Sequence, residues 1–294
     1  MELLQLQYFR TVARLEHLTK AAHELRIAQP ALSKTISRLE EDLGVQLFDR
    51  RARQIRLNAF GKAFLKKTEA ALALLEEGRK EVAELAGMEQ GSIVLATTTL
   101  DRFSAPLGEF VSMHPEIHFR ITQASLDEMG ALLDNGDIDF MISAMPPQRP
   151  GIRMVPLLSE EVFLAVPPRH RFAQRDSISL KEAADDPFID YKEGHPFRQM
   201  NDRFRRDAGM TPRIVCEVDE PAAIGSLVRA GLGVAFVGAC KSDQATPLIK
   251  LPIEDPGYRR TFQLAWDEGR YMSKAAHKFR EFLMNYFAGL HSSR

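Results

Sequence analysis

Cysteine is scarce in this chain. Cys216 and Cys240 are the only two in 294 residues, too far apart for a Cys-x-x-Cys redox or zinc motif, so they read as reduced structural thiols. No stretch of about eighteen apolar residues occurs, and no apolar run of signal-peptide type opens the chain. Neither a membrane span nor export is therefore expected, and the protein reads as cytoplasmic. Gly-x-Ser-x-Gly, Gly-x-x-x-x-Gly-Lys and His-Glu-x-x-His are all missing, which removes the usual sequence signals of hydrolases, phosphate-loop enzymes and zinc proteases. No cofactor is expected, and His195 has no partners at metal-ligand spacing. Neither sign of charge prevails, since 39 Lys/Arg meet 40 Asp/Glu. The eleven Met are scattered and read as core filler. With 45% hydrophobic residues over this length, two or three domains are expected.

What is present begins with Ala28-Gln29-Pro30-Ala31-Leu32-Ser33, which opens a helix with small polar residues directly behind a complete helix and a tight connection. Pro30 fits the first helical position, where a missing N–H is no loss. Upstream, Leu18, Ala21, Ala22 and Leu25 share one face of a short helix. Downstream, Leu32, Ile36, Leu39 and Leu43 repeat at helical spacing, turning Ser33, Lys34, Ser37 and Arg38 outward. The pair reads as a helix-turn-helix whose second helix enters a DNA major groove by Gln29 and Ser33, with Lys34, Ser37 and Arg38 alongside. Residues 1–57 hold ten Lys/Arg against seven Asp/Glu, a modest excess whose placement matters more than its size, while Glu40, Glu41 and Asp42 sit at the far end of that helix.

Gly44 ends the helix, and Val45 to Leu57 alternates apolar and basic residues as a small β-ribbon would. Leu47, Phe48, Ile55 and Leu57 stand against Arg50, Arg51, Arg53 and Arg56. This is the wing of a winged helix-turn-helix, with Arg51 or Arg53 placed to reach phosphates or the adjacent minor groove. The pattern Thr19-x-Ala21-Ala22-x-x-Leu25-x-Ile27-x-Gln29-Pro30-Ala31-Leu32-Ser33, then Ile36-x-x-Leu39-Glu40, then Leu43-Gly44-Val45-x-Leu47-Phe48-x-Arg50 strongly resembles the LysR-type transcriptional regulators. Two departures stand out: Lys34 where that family often carries Arg, losing the bidentate fork, and Asn58-Ala59-Phe60-Gly61 where a Thr-Glu-Ala-Gly run is usual.

From Phe60 to about Leu85 the chain reads as one helix, roughly 40 Å long at 1.5 Å per residue. Phe64, Ala71, Leu75, Val82 and Leu85 form a stripe that calls for another chain or a neighbouring module. Antiparallel pairing in a dimer is what the resemblance implies. Gly87 and Gly91 bracket a hinge. Beyond it strands and helices alternate, the signature of α/β lobes with mostly parallel sheets. Strands are expected at 93–97, 118–123, 140–144, 162–166, 188–191, 214–218, 234–237 and 261–266. Helices are expected at 102–113, 127–133, 197–207, 222–230 and 274–286. Element order, with Gly136-Asp137-Ile138-Asp139 and Ala230-Gly231-Leu232-Gly233-Val234, resembles the type-2 periplasmic-binding-protein fold of LysR-type effector domains. Gly231-Leu232-Gly233 lies between a helix and a strand, the reverse of dinucleotide-binding order, and reads as a turn.

In such a fold a ligand sits between lobes, where strand ends and helix N-termini converge. Thr97-Thr98-Thr99-Leu100 follows the first strand and could hold a carboxylate or simply cap a helix. Ser125-Leu126-Asp127-Glu128 has the spacing of a capping box and is also a candidate contact through Ser125. Tyr191 to Arg198 is the richest polar loop, with Lys192, His195 or Arg198 as anion anchors and Phe197 beside them. Asp219 and Glu220 open a helix, either complementing its dipole or pairing with the ammonium of an amino acid.

The expected architecture is therefore α/β with an N-terminal winged helix-turn-helix (1–58), a linker and dimerisation helix (59–87) and a two-lobed effector-binding domain (88–294). Lobe I covers about 88–161 and 267–294, and lobe II about 162–266. The expected function is sequence-specific regulation of transcription on double-stranded promoter DNA, controlled by a small carboxylate or amino acid. By resemblance, the partners include a second copy in a dimer, a tetramer on DNA, and RNA polymerase. The competing readings are a solute-binding protein and an α/β enzyme.

Overall fold

The computed structural model describes all residues except 52, 53, 88–90, 101, 147, 149, 240–247, 255, 256, 293 and 294, and the side chains of 50, 51, 54, 291 and 292 also lie outside the description. Arg53, Cys240 and the Arg51 side chain fall in that set. The chain forms two compact units, Met1–Met88 and Glu89–Arg294.

The first unit contains α1 (Leu3–Leu15), α2 (Leu18–Glu24), α3 (Gln29–Leu43), the ribbon β1 (Phe48–Arg51) and β2 (Gln54–Leu57), and α4 (Ala59–Leu85). Gln29 begins α3 and Pro30 follows it, one position later than the spacing suggested, with Ala28 as the extended cap. Phe9, Val12, Leu32, Ile36, Leu39, Leu47 and Phe48 form its core, each large side chain contributing about 1.5–3 kcal/mol on burial. The wing is antiparallel, pairing Phe48 with Leu57 and Asp49 with Arg56.

Two acidic side chains fasten the ribbon. The Glu40 carboxylate is buried and accepts from the backbone N–H groups of Leu47 (2.8 Å) and Phe48 (3.3 Å), and Glu16 accepts from Leu57 N–H at 2.9 Å. The unusual Asn58 also works structurally. Its side chain accepts from Gly61 N–H at 2.9 Å, capping α4, and donates to the Gln46 carbonyl at 2.8 Å.

Phe64 faces inward rather than along an exposed stripe. Its ring lies 5.3 Å from that of Phe9, because the first turns of α4 pack on α1. Further along α4, Leu74, Leu75, Val82 and Leu85 are 57 to 76% exposed.

The second unit contains β3 (Ser92–Thr97), α5 (Ser104–Met113), β4 (His118–Gln123), α6 (Leu126–Asn135), β5 (Phe140–Ser143), β6 (Ile152–Val166), β7 (Phe188–Tyr191), α7 (Pro196–Asp207), β8 (Ile214–Val218), α8 (Pro221–Arg229), β9 (Ala235–Gly238), β10 (Ile249–Pro252), β11 (Arg259–Asp267) and α9 (Lys274–Ser292). The sheets are mixed rather than mostly parallel. β3 pairs in parallel with β4 and β5, but β11 is antiparallel to both β5 and β6, and β6 is antiparallel to β9 and β10.

β6 is fifteen residues long and, with β11, carries the chain between the lobes. Its N-terminal half was not expected as strand, because Pro156 interrupts the apolar run Met154 to Leu158. The short β10 was not expected either. The Gly136 to Asp139 segment serves β3, since the Asp139 carboxylate accepts from Val94 N–H at 2.7 Å. One continuous core runs from lobe I (Ile93, Phe103, Phe110, Phe279) into lobe II (Tyr191, Phe197, Val228), while a second fills lobe II behind β7 (Leu164, Phe188, Phe204, Phe236).

Candidate functional site

On α3 the outward residues form two adjacent rows spaced by four: Gln29, Ser33 and Ser37, then Pro30, Lys34 and Arg38. Gln29, Pro30, Lys34 and Arg38 are exposed, and Ser33 and Ser37 are half-buried at the edge of the face. Leu32, Ile36 and Leu39 anchor the opposite side. The result is a rigid helix presenting short polar groups and two cations, on the helix that follows the turn at Leu25–Ala28.

The residues expected to hold an effector have mostly structural commitments. The Thr97 hydroxyl donates to the Thr99 carbonyl at 2.9 Å and accepts from Thr99 N–H at 3.3 Å, so it is bound to its own turn. The Thr98 hydroxyl is buried with no hydrogen-bond partner among the described residues. Leu100 packs against the main core. Ser125 forms the reciprocal capping box with Glu128, its hydroxyl donating to the carboxylate at 2.8 Å.

In lobe II, Lys192 and Asp219 pair with each other at 2.5 Å. Asp219 is thus not a vacant ammonium site opposite the anchors, and Lys192 is not a free anchor. Arg198 is committed as well. It donates to the Tyr191 carbonyl (2.7 Å), Glu217 (2.6 Å) and Asp202 (3.2 Å), contacts that an anion would have to share or displace.

His195 caps α7, its Nδ1 accepting from Phe197 N–H at 3.1 Å, and stacks on Tyr191 at 4.3 Å. Burial pushes its imidazole down to about 4 despite the nearby Asp219. It is uncharged near neutrality, and Nε2 carries the proton. His195 can therefore donate one hydrogen bond but cannot act as a cation.

The charged side chains that converge between the lobes are different ones. Glu160 on β6 accepts from Arg102 Nε at 2.8 Å and Nη2 at 3.3 Å, and from Arg260 Nε on β11. All three are at most 11% exposed. Burial pushes the Glu160 carboxyl up, but Arg260 and Arg102 outweigh that and hold it below the usual carboxylate range. Arg260 also lies over Phe197, 4.4 Å from the ring centre. Phe197 is therefore a fixed aromatic stop beneath an arginine rather than a loose wall.

Arg260 borders a cavity of about 640 Å³ whose lining includes Lys181, Gln199, Arg203, Asp207, Tyr258 and Arg259. Four cations line it beside one carboxylate; Arg203 pairs with that Asp207 at 3.7 Å, Arg259 with Glu161 at 3.3 Å and Arg260 with Glu160. None of the effector residues expected from sequence lines this cavity. The Arg259-Arg260 doublet that opens β11 was its one visible trace in the sequence.

Comparison with known proteins now bears on the two units. Residues 3–62 match the family model of bacterial regulatory helix-turn-helix proteins of the lysR family, and residues 86–288 match the LysR substrate binding domain. This chain belongs to the LysR family. It is a LysR-type DNA-binding transcriptional regulator with an effector-binding domain, and the enzyme and transport readings fall.

It is 36% identical over 292 residues, 98% of this chain and 100% of the relative, to YybE of Bacillus subtilis (strain 168), described as an uncharacterized HTH-type transcriptional regulator. Among solved structures it is similar to CbnR, a LysR family transcriptional regulator (TM-score 0.71, 25% identity, 98% of this chain and 99% of that one). It is also similar to the effector binding domain of QuiR in complex with shikimate (TM-score 0.62, 26% identity, 68% and 98%). No helix among the described residues of this LysR-type regulator is long and apolar enough to cross a membrane.

Proposed function

We propose that this regulator responds to a small organic anion bound in the second unit. The observation that carries this reading is the cavity beside Arg260, where Lys181, Arg203, Arg259 and Arg260 outnumber Asp207. A carboxylate needs such donors, because burying it unpaired is costly. Shikimate, the ligand of the QuiR domain, is a carboxylate of fitting size. Lys181 and Arg203, which only the cavity reveals, are the further anchors; Arg203 meets Asp207 across a loose, exposed contact of 3.7 Å, a pair weak enough to open to an anion.

A thermal-shift screen of carboxylic and amino acids against the full chain tests this. The expected result is at least one carboxylate that raises the melting temperature of the parent, with the shift lost in Arg203→Ala. Operator binding should survive in that variant. Stabilisation only by neutral compounds sinks the reading.

Base and backbone contacts are proposed for Gln29, Pro30, Ser33, Lys34, Ser37 and Arg38 on α3 and for Arg51 and Arg53 of the wing. The exposed face of α4 at Leu74, Leu75, Val82 and Leu85 is proposed to pair with a second copy, since an apolar face of that size is unfavourable in water. One mobility-shift series with promoter DNA tests both. Gln29→Ala should weaken binding by roughly 1–3 kcal/mol and relax sequence preference. Leu75→Glu, which would bury a charge in the seam, should yield monomers that no longer shift the DNA. Parent-like behaviour of either variant refutes the corresponding half.

A further inference from the structure

The Arg102–Glu160–Arg260 cluster is unbalanced. Two guanidiniums share one carboxylate, and all three groups are nearly shut off from water. Its members come from three places: the loop after β3 in lobe I, β6 and β11. A fourth contact, the Arg260 guanidinium over Phe197, ties it to the first turn of α7 in lobe II.

Space flanks the cluster on both sides. Arg102 and Glu160 border a cavity of about 400 Å³ with Ser159, Glu161 and Arg259, and Arg260 borders the larger basic cavity. The backbone of β9 is pressed against the cluster at Gly238, where an added Cβ would stand 2.1 Å from Arg260 Nη2 and 2.3 Å from Glu160 Oε1. A side chain there would have to push these two charged tips aside, so the bare strand leaves them room to meet.

We propose that Glu160 is an internal stand-in for the effector: it fills, from the protein's own chain, a carboxylate site built by Arg102 and Arg260, and an anion arriving in the basic cavity competes with it for Arg260. This rests on the anionic-effector reading above and gives that site its regulation. When Arg260 turns to an external carboxylate it leaves Glu160 and the Phe197 ring together. The Glu160–Arg260 ion pair across the β6–β11 ladder and the contact to Phe197 in lobe II are then broken in one event. Glu160 keeps Arg102, so no buried charge is left unpaired in either state, which is what allows the two arrangements to lie close in free energy. A neutral ligand offers Arg260 no replacement for the carboxylate it must release, so the device selects anions.

Chemical rescue of the full chain tests the proposal, with acetate as the probe and chloride at equal ionic strength as the control. In chloride, Glu160→Ala should melt about 5 °C or more below the parent in the transition of the second unit. Acetate should restore at least half of that loss. The parent, whose site is already filled, should move little in acetate, and the double variant Glu160→Ala/Arg260→Gln should not be rescued. Absence of acetate-specific recovery in Glu160→Ala, or equal recovery in the double variant, overturns the proposal.

If Glu160→Ala does not fold, Glu160→Ser, which also leaves room for acetate, is read on the same arms. Glu160→Gln, which keeps the shape, should give, without ligand, the promoter footprint that the parent gives only with a stabilising carboxylate, and a parent-like ligand-free footprint would overturn the competition. If the screen finds no carboxylate for the parent while acetate still rescues Glu160→Ala, the internal site stands and the effector reading falls. If a carboxylate stabilises the parent and Glu160→Ala is not rescued, the effector reading stands and the stand-in falls.

Discussion

Gly61→Ala is expected to destabilise the N-terminal unit by about 3 kcal/mol or more and to abolish promoter binding at ordinary temperature. A Cβ at this position would lie 2.1 Å from the Leu47 carbonyl oxygen and 2.5 Å from Leu57 Cδ2. The oxygen is the decisive neighbour. It belongs to backbone that accepts from Asn58 N–H at 3.1 Å and is fixed again by the bond from Leu47 N–H to Glu40. It cannot swing aside as a side-chain tip would, so the first turn of α4 must lift away from the ribbon, taking with it the Asn58 cap and the Phe64 contact to Phe9. Denaturation followed by circular dichroism should show the first transition shifted and the second unchanged. A variant within about 0.5 kcal/mol of the parent, the range of ordinary surface changes, would mean that α4 does not approach the ribbon this closely.

The second large effect is expected in lobe II. Asp190 on β7 is buried, and its Oδ1 accepts from Tyr191 N–H (2.8 Å) and Asn201 Nδ2 (2.6 Å). Its Oδ2 faces Arg205 Nη1 at 2.5 Å and Arg198 Nε at 3.5 Å, an ion-pair contact whose angle is not that of a hydrogen bond. Asp190→Ala would leave the 7% exposed Arg205 opposite no buried carboxylate, a loss of about 3–5 kcal/mol. Asp202, which also bonds Arg205, is half-exposed and compensates little.

The double variant Asp190→Ala/Arg205→Met should recover much of the loss, because an apolar pair of similar volume avoids the desolvation that two charges suffer. Equilibrium unfolding of the second transition measures both. A single variant as stable as the parent would show that Arg205 finds solvent or Asp202 instead, and no recovery in the double variant would show that the network also sets the geometry of α7.

The helix-turn-helix was legible because its determinants are local. The apolar positions of α2 and α3 recur at helical spacing, Pro30 marks a helix start, and Gly44 marks its end, all within thirty residues. The capping box at Ser125–Glu128 and the turn at Gly231–Gly233 were legible for the same reason. Glu40 was not. By composition it belongs to an acidic patch with Glu41 and Asp42, and nothing in its neighbourhood in sequence tells that the next segment folds back to place two backbone N–H groups on it. Phe64 was misread for a related reason, since helical periodicity finds a stripe but not where along the stripe a neighbouring helix begins to cover it.

The effector region shows the limit most clearly. Strand ends and polar loops pointed to Thr97–Leu100 and Lys192–Arg198, where Thr97, Lys192 and Arg198 bond their own turns or neighbouring charges while the buried Thr98 hydroxyl has no partner among the described residues. Polar groups close in sequence can usually satisfy one another, and a reading of residue types cannot tell a spent donor from a free one. Sequence by itself determined the class of the protein, the order of most of its elements and the helix-turn-helix, because these follow from periodicity and caps over a few turns. Tertiary structure alone decided which charges meet. Arg102, Glu160 and Arg260 lie 58 and 100 residues apart, and only the antiparallel return of β11 along β6 brings them into one place.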